Sequence, residues 1–243
     1  MNLFNDGLFS ILVNDNSISD GAVYYALLIG FIFISIAISY LLGSINSAII
    51  VSRVFYGEDV RTKGSGNAGL TNMIRNYGKK GALLTLLGDA SKAILSILVT
   101  ALLLGFGYNN GIALNGYCYL AGVFVAIGHI FPIYYKFKGG KGVLVTAISA
   151  LILSPVIAII LITVFAVIFA ITRYVSLGSI TVAALYPFAV ALYVGLTCGI
   201  EMLSALLLVS VILLAVIIIW CHRENIKRLI NGTENKLSFN KKD

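Results

Sequence analysis

The chain has 243 residues, 59% of them hydrophobic and only 11% charged, with a mean hydropathy of +0.98. Soluble domains run at about 45–50% apolar and about 25% charged, so the composition argues against a water-soluble enzyme and for a chain dissolved in lipid. The net charge of +7 is not accompanied by any soluble nucleic-acid module, so no nucleic-acid partner is expected and the cations are left to topology, anionic lipid or an anionic substrate.

The first twenty residues carry Asp6, Asp15 and Asp20 and no Lys or Arg. A cleavable signal begins with positive charge, so none is expected. About 20 mostly apolar residues cross a bilayer as a helix. Such runs extend from Ala22 to about Ser52, Gly81 to Phe106, Ile112 to Tyr135, Val143 to Thr172, Leu177 to Thr197 and Met202 to Trp220. The fourth is too long for one span, and the residue before a proline resists helix. A split at Ser154–Pro155 gives a short span and a full one, and seven spans in all. The expected fold is an all-α polytopic membrane bundle forming a single domain over 1–243. Residues 1–21 are an outer N-terminal extension and 231–243 a polar tail.

The positions of Lys and Arg orient this bundle. The first connection carries Arg53, Arg61, Lys63, Arg75, Lys79 and Lys80; the third carries Lys136, Lys138 and Lys141; the fifth carries Arg173. The C-terminal tail carries Arg223, Lys227, Arg228, Lys236, Lys241 and Lys242, while the N-terminal tail and the even connections carry none. Lys92 alone lies within a span. Cytoplasmic loops hold the excess of Lys and Arg, so the N-terminus is expected outside and the C-terminus in the cytoplasm.

Several segments on that face hold chemistry. Lys63-Gly64-Ser65-Gly66-Asn67-Ala68-Gly69-Leu70-Thr71-Asn72, followed by Arg75, combines turning glycines with neutral donors and a fixed cation. It is either a phosphate loop or a flexible linker, and it lacks the Gly-Lys-Ser/Thr of a Walker motif. Phe137-Lys138-Gly139-Gly140-Lys141-Gly142 bares backbone beside Lys141, or is only a basic turn. Ser176 and Ser179 share a face at the start of a helix, where free N–H groups attract anions and where Ser also serves as an ordinary cap. His222 and Asn225 are three apart at a membrane exit. Asp89 and Lys92, three apart within a span, are costly there and should face the bundle and pair; His129 is either a site residue or a buried hydrogen-bonder. Cys118, Cys198 and Cys221 have no metal-ligand spacing and are read as packing residues. No metal and no cofactor is expected.

The ordered set of these pieces resembles the bacterial membrane acyltransferases that use acyl phosphate and glycerol 3-phosphate. It comprises Leu41 to Ile45, Gly64 to Asn67 with Gly69, Thr71 and Asn72, Asp89 with Lys92, Gly128-His129 with Phe131-Pro132, Lys138 to Val143, Arg173 to Leu177 with Ser179, and His222 to Leu229. The resemblance covers about residues 40–236. It implies seven spans with the N-terminus outside, residence in the bacterial inner membrane, and an active site at the cytoplasmic face. It also implies transfer of an acyl group from acyl phosphate to the 1-hydroxyl of sn-glycerol 3-phosphate, giving lysophosphatidic acid and phosphate. By motif, Arg75, Lys141, His222 and Asn225 are the catalytic residues. Ser65, Gly66, Asn67, Thr71, Asn72, Gly139, Gly140, Gly142 and Ser179 bind substrate, with Ser44, Lys92, His129, Ser176 and Glu224 in support. The proton of the attacking hydroxyl goes either to His222 or to a substrate phosphate, and the scarcity of bases favours the phosphate.

Commoner acyltransferases pair His with an Asp five positions on; here Tyr134 follows His129 and Lys227 follows His222 at that distance. The sequence departs from the family at Asn46, where proline is frequent, at Ala68 and Leu70 in the glycine loop, and in its longer N-terminal extension. The rival readings are a transporter of a phosphorylated metabolite, which should hold its polar groups near the midplane, and a non-catalytic lipid-binding protein.

Overall fold

The computed structural model describes residues 3–13 and 21–237; Asp15, Asp20, Lys241 and Lys242, which enter the charge reading above, lie outside these. Among the described residues ten α-helices follow one another: α1 (Leu3–Val13), α2 (Gly21–Ser44), α3 (Ser47–Tyr56), α4 (Leu70–Leu104), α5 (Gly116–Ile130), α6 (Val143–Leu153), α7 (Pro155–Thr172), α8 (Val175–Thr197), α9 (Ala205–Cys221) and α10 (Arg223–Ile230). The only strands among the described residues are β1 (Tyr108–Asn109) and β2 (Ile112–Ala113), a two-residue antiparallel hairpin between α4 and α5. The architecture is therefore all-α.

The exterior is that of a lipid-facing bundle. Phe33, Ile171, Phe188 and Leu196 are among many large apolar side chains left exposed, and lipid tails accept them as readily as a protein core would. Association must then come from close backbone approach and interhelical hydrogen bonds. On α2 the buried positions are Ser35, Ser39 and Gly43, one turn apart, and Ser44. A Cβ on Gly43 would stand 2.9 Å from the Val125 backbone of α5, and one on Gly128 would stand 2.8 Å from Ser44 N, so neither helix tolerates a side chain at the crossing. Ser35 Oγ and Thr100 Oγ1 meet at 2.6 Å and join α2 to α4.

Hydropathy located the spans, but local chemistry sets their ends. The Ala22–Ser52 run is two helices, because Asn46 is extended (φ −90°, ψ 106°) and its Oδ1 accepts Ile49 N at 3.1 Å, capping α3. The second run begins not at Gly81 but at Leu70, so Thr71, Asn72 and Arg75 stand on the first turns of α4, which bends at Gly78 (φ 69°). The third begins at Gly116, because Ile112 belongs to the hairpin and Asn115 caps α5. The split at Pro155 is present: Ser154 (φ −148°, ψ 66°) ends α6 and the proline opens α7, where its missing N–H costs nothing. Residues 3–13 of the N-terminal extension are a helix docked on the end of α4, with Phe4 and Phe106 centroids 5.2 Å apart.

Among the described residues, five helical stretches are long and apolar enough to cross a bilayer: Gly21–Tyr56, Leu70–Leu104, Gly116–Tyr135, Pro155–Thr172 and Val175–Thr197. The α9–α10 pair makes a sixth if its 56° bend counts as one span. At 11 residues α6 is about 16 Å long, short of the roughly 30 Å hydrocarbon core.

Candidate active site

Arg61 holds two distant loops together. Its Nη1 donates to Tyr135 O and Lys138 O, both at 3.1 Å, while its Nε and Nη2 grip Asp59 at 3.0 and 2.7 Å. Hydrogen bonds from Arg61 hold the Asp59 carboxyl well below the usual carboxylate range, against the cost of burial. The glycine-rich turn after Asp59 is organised by Asn72. Its Nδ2 donates to Val60 O (3.1 Å) and Lys63 O (3.0 Å), and its Oδ1 accepts Ser65 N (3.1 Å) and Asn76 Nδ2 (2.9 Å). An amide offers two donors and two lone pairs, so Asn72 shapes the loop and has nothing left for a ligand. The hydroxyls of Ser65 and Thr71 and the side-chain amide of Asn67 make no hydrogen bond among the described residues, and Gly69 caps α4 without a side-chain bond. These groups, with the open first turn of α4, form a donor cluster suited to an anion.

The second loop differs from its sequence reading. Gly139 N donates to Ile130 O (3.0 Å) and Gly140 N to His129 O (3.1 Å). Those N–H groups fasten the loop to the end of α5, so Gly139 and Gly140 do not present donors to a ligand, and neither lines the cavity described below. They are required for close approach: a Cβ on Gly140 would stand 2.7 Å from Ala68 O. Gly142 is left-handed (φ 79°) and starts α6 with no side-chain cap, so the loop turns there and delivers Lys141 inward. Lys141 Nζ donates to Asn225 Oδ1. Burial, with help from Arg228, lowers its ammonium to about 8.

A cavity of about 750 Å³ lies among α4, α6, α7, α8, α9 and α10. One end gathers Ser65, Gly66, Asn67, Thr71, Asn72, Arg75, Lys141, Gly142, Ser176, Ser179, His222, Glu224 and Asn225. Segments up to 160 residues apart thus supply one polar wall. The other end is apolar, with Leu151, Leu161, Ile162, Phe165 and Leu214 in its lining. Ser179 Oγ donates to Val175 O (2.9 Å), an ordinary back-bond within α8. His222 Nδ1 contacts Ile218 O at 2.7 Å, which assigns the proton to Nδ1 and leaves Nε2 as an acceptor. Glu224 is exposed and pairs with Lys227 at 3.2 Å. Ser44 is buried outside the cavity lining, donating to Tyr40 O at 2.9 Å.

The sequence reading gave no site role to Arg228, Glu234 or Asn235, which also line the cavity. Glu234 accepts from Asn225 Nδ2 (2.6 Å), Ser176 Oγ (2.7 Å) and Arg228 Nε (2.7 Å). Arg75 Nη2 donates to Asn235 O at 3.1 Å, and Leu237 N to Arg173 O at 3.0 Å. The start of the tail is therefore a strap across the polar end and not a bland appendage. Burial disfavours the Glu234 carboxylate, but its donors outweigh this and lower its pKa below the ordinary value.

Lys92 and His129 sit behind the polar wall. Lys92 Nζ donates to Gly43 O (3.2 Å) and Ile45 O (2.9 Å) at the α2–α3 break and meets His129 Nδ1 at 2.9 Å, with Asp89 Oδ1 2.8 Å away. Lys92 does not line the cavity; His129 and Asp89 do. Among the described residues no three His, Cys, Asp or Glu side chains are grouped to hold a metal.

Residues 33–232 match the family described as glycerol-3-phosphate acyltransferase. The chain is 39% identical over 219 residues to the glycerol-3-phosphate acyltransferase of Clostridioides difficile (strain 630), covering 87% of this chain and 98% of that one. It is 41% identical over 198 residues to that of Methylobacillus flagellatus, covering 81% and 92%. The crystal structure of PlsY (YgiH), an integral membrane glycerol 3-phosphate acyltransferase, in its glycerol 3-phosphate form is similar with a TM-score of 0.72 at 32% identity, over 85% of this chain and 96% of that one. The lysophosphatidic acid form is similar with a TM-score of 0.70 at 31% identity, over 85% and 95%. The chain is thus a multi-pass membrane acyltransferase and belongs to the glycerol-3-phosphate acyltransferase family.

Proposed function

We propose that the enzyme transfers a fatty acyl group from acyl phosphate to the 1-hydroxyl of sn-glycerol 3-phosphate, releasing phosphate and lysophosphatidic acid. The observation that carries this reading is the two-ended cavity: cations and neutral donors at one end, aliphatic side chains at the other. A phosphate on a fatty chain matches both ends, and a second phosphate on a three-carbon chain matches the first. Arg75 and Lys141 neutralise the two anions, and Ser65, Asn67, Thr71 and the free N–H groups of α4 hold them. Acyl phosphate is already activated, so no covalent enzyme nucleophile is needed; orientation and charge neutralisation do the work.

The hydroxyl oxygen attacks the acyl carbon, the bond from that carbon to the phosphate oxygen breaks, and phosphate leaves with the bonding pair. The hydroxyl proton passes to a phosphate oxygen; His222 Nε2 is the protein group that competes for it. Asn225 positions Lys141. The family likeness and the alternation of Lys and Arg along the chain support seven spans in one domain, with α6 as a short span. The same two arguments support an outer N-terminus, a cytoplasmic C-terminus and an active site facing the cytoplasm in the bacterial inner membrane.

Purified protein given acyl phosphate and glycerol 3-phosphate tests the reading: phosphate and lysophosphatidic acid should appear in equal amounts. Equal or faster turnover with acyl-CoA would overturn the donor assignment.

A further inference from the structure

The bend in α4 makes a groove separate from the catalytic cavity. Gly78 sits at φ 69° and ψ −164°, a backbone region essentially reserved for glycine. A Cβ there would meet nothing within 4 Å, so packing does not demand the glycine; the bend does. A straight helix is convex and cannot line a groove by itself. Here Leu70 and Ile74 before the bend, with Lys79, Ala82, Leu83 and Leu86 after it, enclose about 220 Å³, and all six belong to α4.

The groove carries one charge, at one end. Lys79, Ala82, Leu83 and Leu86 occupy positions i, i+3, i+4 and i+7, one helical face, and span about 10 Å. Lys79 stands beside the bend, and the leucines run away from it along the spanning limb. Leu83 is 54% exposed, so the groove opens sideways to lipid. Lys79 is exposed and makes no ion pair and no hydrogen bond among the described residues. The described acids near this end already have cations: Glu58 pairs with Lys63, Asp59 with Arg53 and Arg61, Glu224 with Lys227 and Glu234 with Arg228. The negative charge that answers Lys79 is left to come from outside the chain.

A cation at the membrane surface beside an aliphatic slot matches a molecule with an anionic head and an acyl tail lying along the helix. We infer that the bend of α4 seats one anionic phospholipid of the leaflet at the catalytic end. Its phosphate rests on Lys79 and the upper part of one acyl chain lies against Ala82, Leu83 and Leu86. The seat bears on catalysis through the limb before the bend. Leu70 lines this groove and the catalytic cavity alike, and Thr71, Asn72 and Arg75 ride on the same limb. A lipid wedged in the bend favours the bent form that presents these groups, because a ligand stabilises the state it binds. Affinity for the phosphate substrate thus depends on anionic lipid around the enzyme.

The test places the full chain in nanodiscs of phosphatidylcholine, with or without phosphatidylglycerol of the same acyl chains. It reads the lipid retained on extraction by native mass spectrometry, and the KM for glycerol 3-phosphate. A surface lysine favours an anionic lipid by about fivefold. Wild type should retain phosphatidylglycerol over phosphatidylcholine by about that factor and show a lower KM where phosphatidylglycerol is present. Lys79→Ala should lose both effects. Lys80→Ala removes the adjacent cation, which does not line the groove, and should keep both. Both lysines are exposed and unpartnered among the described residues, so both variants fold. Equal loss in the two variants would mean a diffuse attraction to the basic face and overturn the seat, as would retention indifferent to headgroup. Retention of lysophosphatidic acid in preference to phosphatidylglycerol would make the groove a product path and overturn it too. The same KM in every disc would overturn the link to catalysis.

Discussion

Replacing Glu234 by Ala removes the group on which the strap is fastened. The carboxylate accepts three short hydrogen bonds, from Ser176 on α8 and from Asn225 and Arg228 on α10, and its side chain is 7% exposed. Hydrogen bonds to charged groups are worth about 1.5–3 kcal/mol each, but these three share one acceptor and do not add. A local loss of about 2–4 kcal/mol is reasonable, which raises the open population of the strap by roughly 30- to 700-fold. Opening also frees Arg75 from Asn235 O and lets Asn225 swing from Lys141. Glu234→Ala should therefore make the segment after Asn231 sensitive to limited proteolysis and lower kcat/KM by one to three orders of magnitude. Glu234→Gln, which keeps one acceptor oxygen, should fall between. Unchanged protease resistance together with full activity in Glu234→Ala would refute the reasoning.

Lys141 should give a pH signature. Burial brings its ammonium down to about 8, so the ligand-free enzyme loses this cation as pH rises through 8, and kcat/KM should decline there. Because a bound anion favours the charged form, glycerol 3-phosphate binding should take up a proton when measured calorimetrically above pH 8, and the decline should disappear in Lys141→Arg. Gly43→Val places a branched side chain against the Val125 backbone; overpacking of that kind costs about 1–3 kcal/mol and should lower the melting temperature in detergent without moving the KM of correctly folded enzyme. Arg61→Ala releases Tyr135 O and Lys138 O, so the KM for glycerol 3-phosphate should rise about tenfold while thermal stability changes little.

The bundle was legible because membrane insertion writes itself into composition. Long apolar runs gave the helices. Helix ends were less legible, since they depend on single caps such as Asn46 and Asn115, whose amides compete with the backbone only once the chain has folded. Asn46 makes the α2–α3 break with a capping side chain. The glycine loops were found from their composition, but composition does not say where an N–H points. Gly139 and Gly140 use theirs to dock on α5, and Asn72 uses its amide to shape the loop. Glu234 escaped notice because a short polar tail has no periodicity to read; its importance is purely tertiary. Asp89 and Lys92 were expected as a pair and are one, at 2.8 Å; that Lys92 also ties down the α2–α3 break through Gly43 O and Ile45 O is a tertiary contact that sequence spacing does not show.

The central claim is that Arg75 and Lys141, carried on α4 and on the loop before α6, line one pocket and both contribute to binding the substrate anions there. Calorimetric titration of glycerol 3-phosphate into wild type, Arg75→Ala and Lys141→Ala, each checked for an unchanged melting temperature, tests it most directly. Wild type should show a single site, and each variant should lose affinity by about a hundredfold, in line with a buried charge-assisted contact. Wild-type affinity in either folded variant would contradict the account.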